Sequence, residues 1–99
     1  IEYVHIHYPE SIALQTLSEI CFMSPNYFCH YFKQEIGKTP ISFINEYRIE
    51  KACEMLSESK VPISVIALSV GFDNFSYFIR KFREYKGVAP NKYRSFCLK

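Results

Sequence analysis

Two segments of the chain, fifty residues apart, carry side chains that can hydrogen-bond to the edges of nucleic acid bases. In the second segment Phe78 and Phe82 are four residues apart, so they lie on one face of a helix. The opposite face presents Ser76, Ile79 and Arg80. A guanidinium group can donate to O6 and N7 of one guanine, whereas Ile79 can contact only a thymine methyl group. Arg80 is the strongest base-reading candidate; the alternative is a surface arginine that covers apolar area.

The first segment has the same layout with weaker hydrogen-bond donors. Phe28 and Phe32 form the buried pair, and the opposite face presents Asn26, Cys29 and His30. An Asn amide suits adenine, although Asn in the first turn of a helix is also a common cap. His30 can donate to a guanine or a phosphate, and a solvent-exposed His with no ligand is equally plausible. We interpret the two phenylalanines as core residues rather than as a platform for stacking bases.

Phosphate contacts are expected at helix N-termini and from basic side chains beside them. The candidate residues at helix starts are Ser24, Thr39, Asn74 and Asn91. The basic candidates are Lys33, Arg48, Lys81, Arg83, Lys86 and Arg94.

The elements that position these side chains are predicted by a repeat. The pattern F-x₃-F-x₄-G-x₂-P at residues 28–40 returns at residues 78–90. A short apolar-periodic segment precedes each copy, with an offset of 49 rather than 50, so the second copy has one extra residue in its connecting turn. Each copy therefore predicts a short helix, a tight turn and a longer helix, which is a helix-turn-helix unit.

Proline, glycine and capping residues predict an all-α fold of seven helices without strands. A long helix over about 40–58 is predicted to link the first unit, residues 1–39, to the second, residues 59–99. At about 27 Å, such a helix could place both units on one side of a duplex whose major groove repeats roughly every 34 Å. The other helices are expected at about 2–8, 14–21, 25–35, 62–70, 75–85, and from Pro90 through a segment that contains Leu98.

Charge is divided unevenly between the two halves of the 99-residue chain. Residues 1–50 hold three basic and six acidic side chains, whereas residues 51–99 hold nine basic and four acidic. A basic helical segment with interspersed aromatic residues is an electrostatic footprint for a polyanion. A solvated helix face would have the same charge. The hydrophobic fraction of 48% excludes disorder, and no apolar run is long enough to span a bilayer, so no membrane partner is expected.

The four cysteines match no zinc or disulfide spacing, and a reduced, cytoplasmic setting is the simpler interpretation. Cys21, Cys53 and Cys97 are expected on apolar helix faces. Adjacent Cys29 and His30 point about 100° apart on a helix, so neither a metal nor another cofactor is expected.

The residues resemble the C-terminal DNA-binding domain of the AraC/XylS family of transcription regulators. The resemblance is carried by R-I-x₂-A at 48–52, I-A-x₃-G-F at 66–72 and F-x-R-x-F-x₄-G-x₂-P-x₂-Y-R at 78–94. It implies two recognition helices, about 25–35 and 75–85, that bind adjacent major grooves of double-stranded DNA at promoters. It further implies transcription control, usually activation, through RNA polymerase, and a separate sensory domain. The family's base-reading positions fall on Asn26, Cys29, His30, Ser76, Ile79 and Arg80.

Sequence-specific DNA binding is therefore the expected function. A helical module that docks a protein partner is the alternative, supported by the weak basicity of the first unit. An enzyme is not expected, because the sequence has no Ser/His/Asp set, paired carboxylates, glycine-rich phosphate loop or HExxH motif. The chain starts without Met or a basic leader and is expected to be a piece of a longer protein.

Overall fold

The structure, a computed structural model, describes residues 2–97 and contains seven α-helices and no strand within that range. The all-α prediction is confirmed, and most helix ends lie within one residue of their predicted positions. Leu98, predicted in the last helix, lies outside the described residues. The helices are α1 (Glu2–His7), α2 (Leu14–Ile20), α3 (Pro25–Ile36), α4 (Pro40–Glu58), α5 (Ile63–Ser69), α6 (Phe75–Lys86) and α7 (Pro90–Cys97).

Side-chain caps fix the starts of the three longest helices. The side-chain oxygens of Ser24, Thr39 and Asn74 accept hydrogen bonds from the backbone N–H three residues on, at 3.3, 3.2 and 2.9 Å. These bonds satisfy donors that the first turn of a helix leaves without a partner. Pro62 behaves differently from the prediction: it is the N-cap residue of α5 rather than its first helical residue.

The short helices α2 and α5 end in the same hydrogen-bonded turn, the Schellman motif. In α2, Phe22 N–H donates to Glu19 O at 3.0 Å and Met23 N–H donates to Ser18 O at 2.9 Å. The equivalent bonds after α5 place Gly71 in the position of Phe22, and both residues have positive φ, 107° and 57°. Glycine adopts this conformation without penalty, whereas a residue with a side chain loses about 1–2 kcal/mol.

Buried apolar side chains form two clusters, one in each helix-turn-helix unit. The first is small and consists of Val4, Leu17, Phe28 and Ile44. The second is larger and consists of Ile49, Ala52, Cys53, Leu56, Ile66, Ala67, Val70, Phe72, Phe78 and Phe82. α4 supplies residues to both clusters, so it forms part of both hydrophobic cores as well as linking the two units. The unit boundaries at residues 39 and 58 remain a prediction.

Several apolar side chains are exposed, among them two of the three cysteines that were predicted on apolar helix faces. Tyr31 is 44% exposed because it lies one position from Phe32, about 100° around α3 from the buried stripe. Ile41 is 59% exposed in the first turn of α4. Cys21 and Cys97 are exposed since the first caps the end of α2 and the second is the last residue of α7. Cys53 is buried as predicted.

Gly71 lies where the two units meet. A Cβ atom there would be 2.4 Å from the carbonyl oxygen of Tyr8 and 2.7 Å from Nε of Arg48. Gly87, which ends α6 with φ 80°, has open space around the same position. Gly71 is thus required by its conformation and by the close approach of the first unit, and Gly87 by conformation alone.

Replacing Gly71 with alanine should therefore destabilise the protein more than the same change at Gly87. We expect Gly71→Ala to lower the free energy of unfolding by about 2–5 kcal/mol, combining backbone strain with overpacking. Gly87→Ala should cost about 1–2 kcal/mol, from strain alone. Urea denaturation of the two variants measures the difference. Equal losses of unfolding free energy in the two variants would show that the contact between Gly71 and the first unit adds no overpacking penalty.

Candidate nucleic-acid interface

The predicted base-reading residues of the second unit lie together on the exposed side of α6. Ser76, Ile79 and Arg80 line one shallow depression, and Arg83 and Glu84 complete it. Ser76 and Arg80 are exposed, and Ile79 is half-buried. The opposite side of α6 is fixed in the core through two phenylalanines, Phe78 and Phe82, which are fully buried. A helix anchored on one side in this way can lie in a major groove with the polar side chains of its exposed side toward the base edges.

α6 carries four basic side chains against one acidic one. Lys81 pairs with Glu84 at 3.1 Å, and Lys86 pairs with Glu50 of α4. Each hydrogen bond to a carboxylate raises the pKa of its lysine, so both ammonium groups stay charged at neutral pH.

Arg80 and Arg83, by contrast, have no ion-pair partner among residues 2–97. Their guanidinium groups keep their hydrogen-bond donors available to an external acceptor. A phosphate group or the edge of a guanine can accept two hydrogen bonds from one arginine side chain.

Tyr77 supports this face, although it is not among the predicted site residues. The guanidinium carbon of Arg80 lies 5.3 Å from the centre of the Tyr77 ring, a cation–π arrangement that positions the arginine. The Tyr77 hydroxyl oxygen accepts a 2.9 Å hydrogen bond from Nδ2 of Asn45, a buried residue of α4. Tyr77 occupies the same position in the repeat as Tyr27, and this equivalence is the one feature of the sequence that could have indicated a role for it. The sequence pattern does not indicate that Asn45 is its hydrogen-bond partner.

The first recognition helix, α3, presents a less charged surface. Asn26 and His30 are exposed and Cys29 is half-buried, so the structure places this predicted set on one outer side of α3. Lys33 is the single basic residue of the helix and Glu35 balances it. Two tyrosines also lie on the surface of α3. Their rings, Tyr27 and Tyr31, are stacked with centroids 6.5 Å apart.

Three of the four predicted phosphate-binding helix starts are real N-caps. Ser24, Thr39 and Asn74 hold the first turns of α3, α4 and α6. Asn91 lies one residue inside α7, which begins at Pro90. Its side-chain oxygen accepts from the backbone N–H of Lys92 at 2.9 Å, so it does not cap the helix.

Two predicted phosphate ligands, Arg48 and Arg94, are engaged inside the protein. Arg48 donates from Nε and Nη2 to the carbonyl oxygens of Tyr8 and Glu10, both at 2.7 Å, and burial lowers its pKa. Arg94 donates from Nη2 to the carbonyl oxygen of Val61 at 2.6 Å, and more weakly to that of Leu56. These bonds link helices to neighbouring segments, so the structure gives both arginines a stabilising role, and their predicted phosphate contacts stay a prediction.

Residues 2–97 bring no three His, Cys, Asp or Glu side chains together in an arrangement that could hold a metal ion. Over the same residues, every helix is too short or too polar to cross a bilayer.

Known proteins share this sequence pattern and this architecture. A family profile described as a helix-turn-helix domain matches residues 17–95. The chain is 36% identical to the uncharacterised transcriptional regulator YobQ of Bacillus subtilis over 96% of its own length and 39% of that protein. It is 30% identical to the arabinose operon regulatory protein of Escherichia coli over 97% of its length and 33% of that protein. The chain thus spans about a third of the length of these curated relatives.

Solved structures give the same result for the fold. The C-terminal domain of AraT, a response regulator of Geobacillus stearothermophilus, matches with a TM-score of 0.89 and 35% identity, over 96% of this chain and 79% of that one. The DNA-binding domain of AdpA, solved with a target DNA, matches with a TM-score of 0.90 over 96% of this chain and 86% of that one. At 24% identity, this second likeness concerns the fold.

Because Arg48 and Arg94 form internal hydrogen bonds, we expect replacement of either arginine to lower the stability of the protein. Arg48→Ala or Arg94→Ala leaves carbonyl oxygens without a partner, so each should lower the free energy of unfolding by about 1–3 kcal/mol. The exposed Lys92→Ala should change it by less than about 0.5 kcal/mol. Urea denaturation makes the comparison. Unchanged stability with a smaller salt dependence of DNA binding would restore the phosphate-contact interpretation.

Proposed function

The chain belongs to the AraC/XylS family of helix-turn-helix transcription regulators, and from that premise we propose that α3 and α6 enter two successive major grooves of one DNA duplex. The observation that carries the proposal is the outer face of α6. There Arg80 and Arg83 project beside Ser76 and Ile79 without an ion-pair partner among residues 2–97.

The dimensions of the protein support two-groove binding. Its longest extent is 47 Å, and α4, with 19 residues, is about 28 Å long. Major-groove faces on one side of B-DNA recur roughly every 34 Å. Because α4 belongs to both cores, the two recognition helices are held in one orientation and need no flexible search.

The roles of individual residues form part of the proposal. Base reading is assigned to Asn26, Cys29, His30, Ser76, Ile79 and Arg80. Phosphate binding is assigned to helix starts and basic side chains that remain accessible, namely Ser24, Lys33, Thr39, Asn74, Lys81, Arg83, Lys86 and Asn91.

The wider role of the protein is also proposed rather than observed. The family consists of transcription regulators, and we infer that this chain has no enzymatic activity of its own. Activation through RNA polymerase, control by a sensory domain elsewhere in the polypeptide and a cytoplasmic location follow from the family resemblance. The relatives are about two and a half to three times as long as this chain, which leaves room for a further domain in each of them.

A second candidate function is docking of a protein partner by the first unit. The exposed, nearly uncharged surface around Tyr27 and Tyr31 favours it. Salt separates the two functions, because phosphate contacts release counterions and make affinity fall steeply with salt concentration.

Replacing Arg80 should change sequence preference as well as affinity. On duplexes selected from a random pool by the wild-type chain, Arg80→Ala should cost about 1–3 kcal/mol and relax preference at one or two base pairs. Arg83→Ala is the matched control, and it should weaken selected and random duplexes alike and flatten the salt slope by about one ion. Fluorescence anisotropy at several salt concentrations measures both. Equal weakening of both DNA classes by Arg80→Ala would make Arg80 a phosphate contact.

Changing the DNA rather than the protein tests the two-groove geometry without disturbing the cores that share α4. Inserting about five base pairs between the two contacted segments turns one of them to the opposite side of the duplex. We expect the dissociation constant to move toward the non-specific range, roughly 10⁻⁴–10⁻⁶ M at physiological salt. A ten-base-pair insertion returns both segments to one side of the duplex but farther apart, so affinity should recover partly only if the protein can stretch. Wild-type affinity for the five-base-pair variant would contradict simultaneous binding by both helices.

A further inference from the structure

Phe22 is the most exposed large apolar side chain among the described residues. It lies in the turn between α2 and α3, and 96% of its surface is open to solvent. Its neighbours Ile20 and Cys21 are exposed as well, so the turn forms an apolar tip. At this exposure the Phe22 ring contributes almost nothing to the core and has an unfavourable contact with water.

The backbone at Phe22 adds a second cost. Its φ of 57° makes it the one residue besides glycine with positive φ in residues 2–97. The Schellman turn requires this conformation, and the second unit meets the requirement with Gly71. A glycine at position 22 would avoid both the strain and the exposed ring. A strained, exposed aromatic residue in a rigid turn is typical of a ligand-binding position.

Phe22 lies close to the proposed DNA contacts of the first unit. Only Met23 separates it from Ser24, the N-cap of α3, so the Cα atoms of Phe22 and Ser24 are at most about 7 Å apart. Asn26, in the first turn of α3, follows two residues later. When the N-terminus of α3 enters the major groove, the turn lies at the groove wall.

The chemistry of α3 explains why an apolar contact would be useful there. α3 has one basic residue, Lys33, whereas α6 has four, so the first unit gains little from phosphate attraction. The duplex offers two apolar surfaces at the groove wall, the thymine methyl group and the deoxyribose ring. Phenylalanine can contact either one, and a thymine methyl contact carries sequence information.

We propose that Phe22 is a DNA-binding residue that makes an apolar contact with the duplex beside the N-terminus of α3. This inference rests on the proposed function of α3 as a recognition helix. It adds to the first unit a contact that is independent of salt, because an apolar ring displaces no counterions.

Phe22→Gly and Phe22→Asn test the proposal. Both residues adopt positive φ readily, so both variants keep the turn while removing the ring. We expect each to raise the melting temperature and to weaken binding to a selected duplex about tenfold, with an unchanged salt slope. Phe96→Ala, which removes an exposed aromatic ring from α7, is the control and should leave affinity unchanged.

Uracil substitution identifies which apolar surface is contacted. If wild-type protein loses affinity when thymines of the first half-site become uracils, and Phe22→Gly does not, the ring touches a methyl group. If uracil has no effect while Phe22→Gly remains weaker, the ring touches deoxyribose.

Three results would overturn the inference, and they are distinguishable from failure of the proposed function. Wild-type affinity of Phe22→Gly, with normal DNA binding by the wild type, removes Phe22 alone from the interface. A lower melting temperature of Phe22→Gly would show that the ring stabilises the protein itself. Sedimentation showing that the ring holds two copies together would assign it to self-association. Absence of DNA binding by the wild type would overturn the proposed function and this inference together.

Discussion

The hydrogen bonds of Arg48 fix the loop of the first unit against α4, the helix that both units share. From the middle of α4, this side chain donates to the carbonyl oxygens of Tyr8 and Glu10 in the loop between α1 and α2. Its guanidinium carbon also lies 5.8 Å from the centre of the Phe72 ring, which belongs to the second core. Bonds from a charged donor are stronger than neutral ones, and the partly buried site shields them from water. One side chain thus joins the loop of the first unit to the core of the second.

Packing around Arg48 explains why the two repeats are not equivalent. The loop at Tyr8 comes so close to the turn after α5 that only glycine fits at position 71. The corresponding turn of the first unit is open to solvent and accommodates Phe22. In the second unit this turn packs against the first unit, whereas in the first unit the turn is accessible to solvent. The same turn is therefore a partly buried contact in the second repeat and an exposed surface in the first.

The sequence predicted the features that local chemistry determines. The repeated Phe, Gly and Pro spacing and the caps at Ser24, Thr39 and Asn74 were sufficient for seven helices and for the outer faces of α3 and α6. Contacts between distant segments were not predictable in this way. Charge alone could not distinguish Arg94, whose acceptor carbonyl lies 33 residues away, from the accessible Arg83.

Exposure at helix ends was also beyond the reach of the pattern. Cys21 continues the apolar period of α2, yet the helix stops before it and the side chain faces solvent. Asn45 and Tyr77 form a pair between α4 and α6 that neither residue indicates by itself. The base-reading roles could not be derived from the chain alone, because they also depend on the sequence of the bound DNA.

In the proposed complex, the shared helix α4 lets the weakly charged first unit contribute to binding. Basic side chains of α6 attract the duplex, and α4 holds α3 beside the next groove. The entropy of positioning α3 is lost during folding rather than during binding, so even modest contacts from this helix add to the total affinity. In the proposed complex, α6 therefore provides most of the electrostatic affinity together with the base-reading side chain of Arg80, and α3 adds further base contacts that cost no additional ordering.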